Sequence, residues 1–276
     1  MFKYLEILPD NGDFFRMDHS AAVSASIDYT KEAFIGKWTR WIIFVILGLP
    51  MALLPFVFDA NTIPVSENFS WDQVPWGQVA ALVIAGILLS FILSGYIVRI
   101  YRGIQPAPDF EDWGTLFIDG LKLNILSLIW ILPILIFVLG VVGLAVFLMG
   151  TPESGSMALV AVLLAVIAIA MVFFIVIALF IPMALIRFAR TGSIREGLRF
   201  SEISSHIARI GWGQYIIALI VLLVVMLIYG IVVTILSLIP FIGWVLELVA
   251  TPLITVFAAR FYTLVYEQGT EQPVVA

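Results

Sequence analysis

The chain has 276 residues, of which 62% are hydrophobic and 12% are charged, with a formal net charge of −5. Ordinary soluble domains contain about 45–50% apolar and about 25% charged residues, so this composition excludes a soluble globular domain. There is no cysteine, which excludes disulfides, zinc–thiolate sites and thiol nucleophiles. Apolar runs longer than the roughly 20 residues that a helix needs to cross a bilayer predict an all-α, polytopic membrane protein.

The N-terminal segment, residues 1–26, is polar and irregular, and we expect it to be a flexible cytoplasmic terminus. Residues 1–16 belong to the native chain or form an extension before Met17; both interpretations fit. A short helix over 27–37 then leads into the first span. Six apolar spans are expected, at about residues 41–58, 79–98, 121–149, 157–186 and 215–239, with the sixth ending near 264.

The distribution of basic residues predicts the orientation in the membrane. The outer segments, 59–76, 150–156 and 239–247, contain no lysine or arginine, so all 14 basic residues lie on the other side or at its boundary. Loops rich in lysine and arginine stay in the cytoplasm. We therefore expect a cell-membrane protein with both termini cytoplasmic. Asn68 begins an Asn-x-Ser tripeptide, and the sequence leaves its glycosylation open.

Three amphipathic segments, 28–38, 109–121 and 193–210, precede the first, third and fifth spans, and each is expected to form a short surface helix. The stripe of the second segment consists of Phe110, Trp113, Leu116, Phe117 and Leu121. The stripe of the third consists of Phe200, Ile203, Ile207 and Ile210.

Capping residues mark where two of these helices should begin. Asp109 is expected to cap the second, and Ser193 with Glu196 forms the Ser-x-x-Glu pattern of a capping box. Each surface helix followed by two spans makes one repeat-like unit, so we expect three hairpins in a single domain. The predicted limits are 1–26 for the N-terminus, 27–266 for the domain, 27–103, 109–192 and 193–266 for the units, and 267–276 for a cytoplasmic tail.

An arginine stands at the inner end of the second span of each unit: Arg99, Arg187 and Arg260. If the units are true repeats, these arginines occupy equivalent sites. We expect them to pair with acidic residues of the surface helices. The candidate partners are Asp112, Asp119, Glu196 and Glu202. The alternative is chance recurrence of a generic pattern of helix, loop and arginine.

The stretch from residue 95 to 123 also carries a family resemblance. Its residues are Gly95-Tyr96, Arg99-Ile100-Tyr101-Arg102-Gly103, Pro106, Pro108, Asp112-Trp113-Gly114, Leu116-Phe117 and Asp119-Gly120-Leu121-Lys122. With residues 28–34 and 36–38, they resemble the domain-of-unknown-function 4013 membrane family, which is mostly archaeal. The likeness is close over 27–125 and looser afterwards. It implies the six-span fold, this topology and an archaeal plasma membrane, and it brings no established activity.

Chemistry-bearing residues are sparse. His19 lies in the loose N-terminus, and His206 is expected on the solvent-facing side of the third surface helix. Asp112 and Asp119, with Glu111, suggest the solvated face of a helix more than a divalent-metal site, the other interpretation. The sequence contains no metalloprotease, hydrolase or phosphate-loop motif. We therefore expect no catalytic residues, no cofactor and no metal.

Transporters usually keep charged groups in mid-membrane, and none of the six spans has one near its centre. Glu247 comes closest, about one turn from the outer end of span six, where it is expected to reach the headgroups. We expect a non-enzymatic protein, a scaffold whose partners are the lipid bilayer, a membrane protein or a second copy. The alternative is a permease for a small apolar or lipid-like solute, and a membrane enzyme comes third.

Nucleic acid is not expected as a partner, because the basic residues are spread over three inner segments and matched by acidic ones. The candidate structural or functional residues are Arg99, Arg102, Asp112, Trp113, Asp119, Arg187, Glu247 and Arg260.

Overall fold

The structure is a computed structural model that describes residues 18–57, 74–149, 157–239 and 242–270. Every regular element in these ranges is a helix. The helices are α1 (His19–Phe34), α2 (Trp38–Val57), α3 (Trp76–Tyr101), α4 (Trp113–Met149), α5 (Met157–Thr191), α6 (Ile194–Gly197), α7 (Phe200–Ile210), α8 (Trp212–Ser237) and α9 (Ile242–Gln268). Six of them, α2 to α5, α8 and α9, are long and apolar enough to cross a membrane, which confirms the predicted all-α class with six candidate spans.

Some predictions fall on other parts of the chain. Residues 1–17, most of the predicted outer segment 59–76 with Asn68, the turn 150–156 and residues 271–276 lie outside the described residues.

Helix α1 begins eight residues earlier than predicted, at His19 instead of residue 27. The Asp18 carboxylate caps it by accepting bonds from the amides of Ser20 and Ala21, at 2.9 and 3.0 Å. These bonds hold the pKa of Asp18 below its usual range. Residues 19–26 are therefore helical because a cap and small side chains allow it, and the expectation of an irregular segment there was wrong.

The segment before α4 departs from the prediction more strongly. Residues 102–112 form no helix, so the separate surface helix expected over 109–121 does not exist; α4 starts at Trp113 and continues without a break for 37 residues. Asp109 does not cap it. The carbonyl of Asp112 accepts the first helical bonds, from the amides of Thr115 and Leu116. The predicted stripe therefore splits between a loop, which contains Phe110, and the first turns of a long helix.

The third amphipathic segment is interrupted as well. It contains α6 and α7 with a break at residues 198–199. Ser193 occupies the N-cap of α6, but its side chain makes no capping bond. The capping box with Glu196 was wrong, because the Glu196 carboxylate binds Arg187 instead.

Two glycines let α3 and α4 approach until their backbones touch. A Cβ on Gly95 would lie 1.9 Å from the carbonyl oxygen of Leu116, and a Cβ on Gly120 would lie 1.7 Å from that of Phe91. Real Cβ atoms never approach an oxygen so closely, so both positions require glycine. This contact fixes the start of α4 against the end of α3.

The core lies at one end of the bundle, which we call the base. There α3, α5 and α9 finish and α2, α4 and α8 begin. Among the described residues, α4 has no buried side chain beyond Leu126, α5 has none before Ile177, and α8 has none beyond Leu222. The rest of these three helices exposes an apolar surface suited to hydrocarbon, so most of the specific packing is at the base.

Candidate functional site at the base of the bundle

The ends of α3 and α5 exchange a reciprocal pair of hydrogen bonds. Arg102 Nε donates to the carbonyl oxygen of Ala189 at 3.1 Å, and Arg190 Nε donates to that of Tyr101 at 2.7 Å. Each arginine thus bonds the residue that precedes the other. The terminal carbonyls of a helix have no partner within the helix, and these guanidinium groups supply one.

Helix α9 contacts the same end of α3 through a further hydrogen bond. Thr263 Oγ1, besides its bond within α9, lies 3.3 Å from the carbonyl oxygen of Ile100 and donates to it. Ile100, Phe188 and Phe261, one on each helix, are fully buried beside these contacts. Each of the three helix ends therefore buries a large apolar side chain at the base.

The loop between α3 and α4 is held in place by Arg40 of α2, whose side chain is only 2% exposed. Its guanidinium donates to the carbonyl of Ala33 at 2.7 Å, to that of Ala107 at 3.2 Å, and to the carboxylate of Asp109. The guanidinium also holds the pKa of Asp109 below its usual range. Arg40 thus links α1, α2 and the loop.

Arg99 holds the same loop from α3. Its guanidinium donates to the carbonyl oxygens of Asp109 and Glu111, at 2.9 and 2.6 Å. The predicted partners of Arg99 were carboxylates, and the loop carbonyls are the groups it contacts. Phe110 stacks on Tyr96 with ring centroids 4.7 Å apart, so the loop also packs against α3 through its aromatic side chain.

Arg260 of α9 and Tyr29 of α1 connect the C-terminal helix to the N-terminal helix of the described residues. The Arg260 guanidinium lies over the Tyr29 ring, 5.2 Å from its centroid, and the Tyr29 hydroxyl donates to the carbonyl of Ile104 at 3.1 Å. A cation over an aromatic ring contributes about 0.5–2 kcal/mol. Burial raises the pKa of Tyr29 to about 12, so the hydroxyl remains a donor at physiological pH.

Three of the four predicted acidic residues pair with arginines. Asp119 binds Arg102, which was not one of the three arginines predicted to form such pairs, at 2.7 Å. Glu196 binds Arg187 at 2.7 Å, and this hydrogen bond holds the pKa of Glu196 below its usual range. Glu202 lies farther from Arg187, at 3.6 Å. Partly buried pairs of this kind hold helices in register more firmly than exposed pairs do.

His206 was predicted to face solvent, and that prediction was wrong: the side chain is 2% exposed. Its ring stacks on Tyr266 at 3.9 Å between centroids. Nδ1 lies 3.0 Å from Arg209 NH2, and Nε2 lies 2.9 Å from the carbonyl of Tyr266. A guanidinium can only donate and a carbonyl can only accept, so Nδ1 is the acceptor and Nε2 carries the proton. The imidazole is neutral and ties α7 to the end of α9.

The environment of His206 predicts a pH dependence of stability. Burial, with Arg209 and Arg187 nearby, lowers its pKa from 6.5 to about 4. Below pH 6.5 the unfolded chain therefore binds a proton that the folded chain does not, and stability present above pH 6.5 is lost as the pH falls towards 4. The full effect is roughly 3 kcal/mol. We expect the melting temperature in detergent to fall between pH 7 and 5.

The matched variant is His206→Gln, whose amide can accept from Arg209 and donate to Tyr266 without titrating. Its melting temperature should change much less over the same range, when unfolding is followed by tryptophan fluorescence. An equal slope in both proteins would show that His206 is not responsible.

Of the remaining predicted residues, Trp113 stacks on Phe110 of the loop, with ring centroids 5.9 Å apart. Trp113 begins α4 and is half-exposed, and Asp112 precedes it with a φ of 48°. Glu247 is exposed on α9, far along the helix from the base; its carbonyl accepts a bond from Thr251, which lies 3.4 Å from the Tyr229 hydroxyl. Within the described ranges no three histidine or acidic side chains gather as a metal ion would require.

Arg40 and Arg190 were not among the predicted site residues. A signal for Arg190 was present in the chain, since Arg187-Phe188-Ala189-Arg190 repeats the spacing of Arg99-Ile100-Tyr101-Arg102. Arg40 had no such signal, because it stands among apolar residues at the start of a span.

We compared the chain with known protein families. The sequence model described as Protein of unknown function (DUF4013) matches residues 79–238, more than half of the chain. The chain belongs to this family. The matched part of the DUF4013 protein runs from α3 to the end of α8 and includes Arg99, Arg102 and Arg187; Arg40 and Arg260 lie outside it. No curated protein and no solved structure matches the chain.

Proposed function

We propose that this DUF4013 protein is a non-enzymatic scaffold of the cell membrane, built from three hairpin units with the base on the cytoplasmic side. The observation that carries the proposal is the set of contacts made by three arginines. Arg99 holds the loop before α4, Arg187 binds Glu196 in α6, and Arg260 lies over Tyr29 in α1. Each arginine ends one unit and contacts the segment that leads into the next, and the third contact returns to the first unit.

The residue after each of the three arginines is buried in the same way. Ile100, Phe188 and Phe261 each follow one of the three arginines directly, and all three are fully buried. A common burial pattern is expected when three helix ends occupy equivalent positions.

The helices that open the units give further support. Helices α2, α4 and α8 begin at Trp38, Trp113 and Trp212, each of them exposed. Tryptophan is enriched at membrane–water interfaces, so these three residues suit a common depth at the cytoplasmic boundary.

The scaffold is favoured over the permease alternative because the base is tightly packed. Ile100, Phe188 and Phe261, near the ends of α3, α5 and α9, are fully buried, which favours a packed apolar base over a solvated path. Flux assays in proteoliposomes test this choice. A scaffold carries neither a lipid-like fluorescent solute nor a small apolar one faster than protein-free vesicles, whereas protein-dependent flux would favour the permease.

The orientation can be tested with two introduced cysteines, because the natural chain has none. Ser66→Cys, in the predicted outer segment, should react with an impermeant maleimide on intact cells. Ser205→Cys, exposed on α7, should react only after the membrane is permeabilised. Labelling of Ser205→Cys but not Ser66→Cys on intact cells would contradict the proposed topology.

A further inference from the structure

Residues 195–200, from α6 through the break at 198–199 to the first residue of α7, lie with Trp212 of α8 against the apolar parts of two spans; we call this surface the α6–α7 corner. Trp130 Nε1 of α4 donates to the carbonyl of Gly197 at 3.0 Å. A Cβ on Gly197 would lie 2.5 Å from Leu126 Cδ2 and 3.1 Å from the carbonyl of Ala184. The corner is thus pressed onto α4 and α5 and cannot stand away from the membrane.

Aromatic contacts place the corner at the level of the apolar part of α5. Phe200 stacks on Phe180 with centroids 4.2 Å apart, and Trp212 lies 6.0 Å from the same ring. Phe180 precedes Arg187 by seven residues, about 10 Å along the helix. The rings of Phe200 and Trp212 therefore lie farther towards the membrane than the Arg187 ion pairs, and Glu196 of the corner takes part in those pairs.

The corner nevertheless leaves large apolar side chains uncovered. Phe200 is 53% exposed, and Leu198 and Trp212 are also exposed. At this level the neighbour of the protein is the boundary between headgroups and acyl chains, where such side chains are buried by lipid.

The charges beside these side chains are predominantly positive. Arg195 is exposed, and the side chain of Arg199 is 53% exposed. Glu196 lies between Arg187 and Arg199, and Glu202 lies near Arg187. These three arginines and two glutamates sum to a net charge of +1; Arg187 pairs with both carboxylates, Arg199 shares Glu196 and keeps an exposed side chain, and Arg195 is exposed.

We infer that the α6–α7 corner binds the phosphate headgroup of an anionic membrane lipid. Leu198, Phe200 and Trp212 enter the acyl-chain boundary, and Arg195 and Arg199 donate to the phosphate oxygens. A lipid is favoured over a soluble protein because the exposed rings of Phe200 and Trp212 lie beside Phe180, in the apolar part of α5. The inference rests on the proposed function in one respect, that the base lies at a membrane surface.

The test measures lipid retention by native mass spectrometry of the full chain released from nanodiscs of equal phosphatidylglycerol and phosphatidylcholine. The parent should retain phosphatidylglycerol preferentially. One basic residue near an anionic surface is worth roughly fivefold in affinity, so Arg195→Gln with Arg199→Gln should reduce this preference more than tenfold. The matched control is Lys31→Gln, which removes an exposed cation of α1 that is paired with Asp28.

The variants test whether the two arginines bind the lipid, and a competition experiment tests whether the bound phosphate belongs to a lipid. An unchanged preference in the double variant, or an equal loss in Lys31→Gln, would overturn the inference. Displacement of the lipid by glycerol 1-phosphate at matched concentration would show a site for soluble phosphate instead. Both faces of a nanodisc are accessible, so the measurement does not depend on the maleimide topology, and the two proposals can fail separately.

Discussion

Gly120→Ala is expected to destabilise the protein by about 3 kcal/mol or more, since overpacking of a well-packed contact costs about 1–3 kcal/mol and this contact involves backbone atoms that cannot rotate away. The new Cβ would lie 1.7 Å from the carbonyl of Phe91 and 2.6 Å from the amide nitrogen of Gly95. Helices α3 and α4 would have to separate, and the loop held by Arg40 and Arg99 would lose its position. The melting temperature in detergent should fall by roughly 6–12 °C.

A matched control exists in the same helix. Gly140 has nothing within 4 Å of its Cβ position, so Gly140→Ala should be neutral or slightly stabilising through helix propensity, by up to about 1 kcal/mol. If Gly120→Ala and Gly140→Ala both have the melting temperature of the parent, the close contact between α3 and α4 is not present in the protein.

Arg40→Met should be the most damaging change to a side chain at the base. Methionine fills most of the volume but leaves the buried carbonyls of Ala33 and Ala107 without donors, and it leaves Asp109 without its cation. A buried acceptor left without a donor costs about 1–3 kcal/mol, so the two carbonyls together should cost roughly 2–6 kcal/mol. We expect a lower yield of folded protein, a melting temperature reduced by roughly 10 °C and faster proteolysis within the loop 102–112.

The appropriate control is Lys31→Gln, because the exposed pair of Lys31 and Asp28 contributes only about 0–1 kcal/mol. Arg40→Met should differ from it in both melting temperature and loop cleavage. A variant that matches this control in both measurements would mean that the loop is held without Arg40.

The six candidate spans could be predicted from the sequence because a helix that crosses hydrocarbon needs about 20 consecutive, predominantly apolar residues. Such runs are easy to recognise, and the six predicted runs lie close to the six long helices of the structure. The positions of Arg99 and Arg187 near the ends of α3 and α5 were also accessible, because charged residues beside apolar runs stand out.

The base was harder to predict because its polar groups are satisfied by residues far away in the chain. Asp109 was an apparent helix cap, but Arg40, 69 residues earlier, binds its carboxylate. His206 had the spacing of a solvated face, but Tyr266 covers its ring. A local pattern contains no information about such partners, and tertiary contacts decided both outcomes.

The start of α4 shows the same limit. The spacing of four between Trp113, Phe117 and Leu121 correctly indicated a helix. It could not show that this helix joins the following span, because an amphipathic turn and the first turn of a span have the same pattern.

The equivalence of the three units at one membrane surface is tested most directly by the depth of three spin labels in lipid bilayers, measured by power-saturation EPR. The labels are placed at Thr39→Cys, Gly114→Cys and Gly213→Cys. Each residue directly follows a tryptophan that opens α2, α4 or α8, and all three are exposed. The proposed arrangement predicts three depths that agree within about one helical turn, at the headgroup boundary. Depths that differ by more than two turns, ~11 Å, would contradict it.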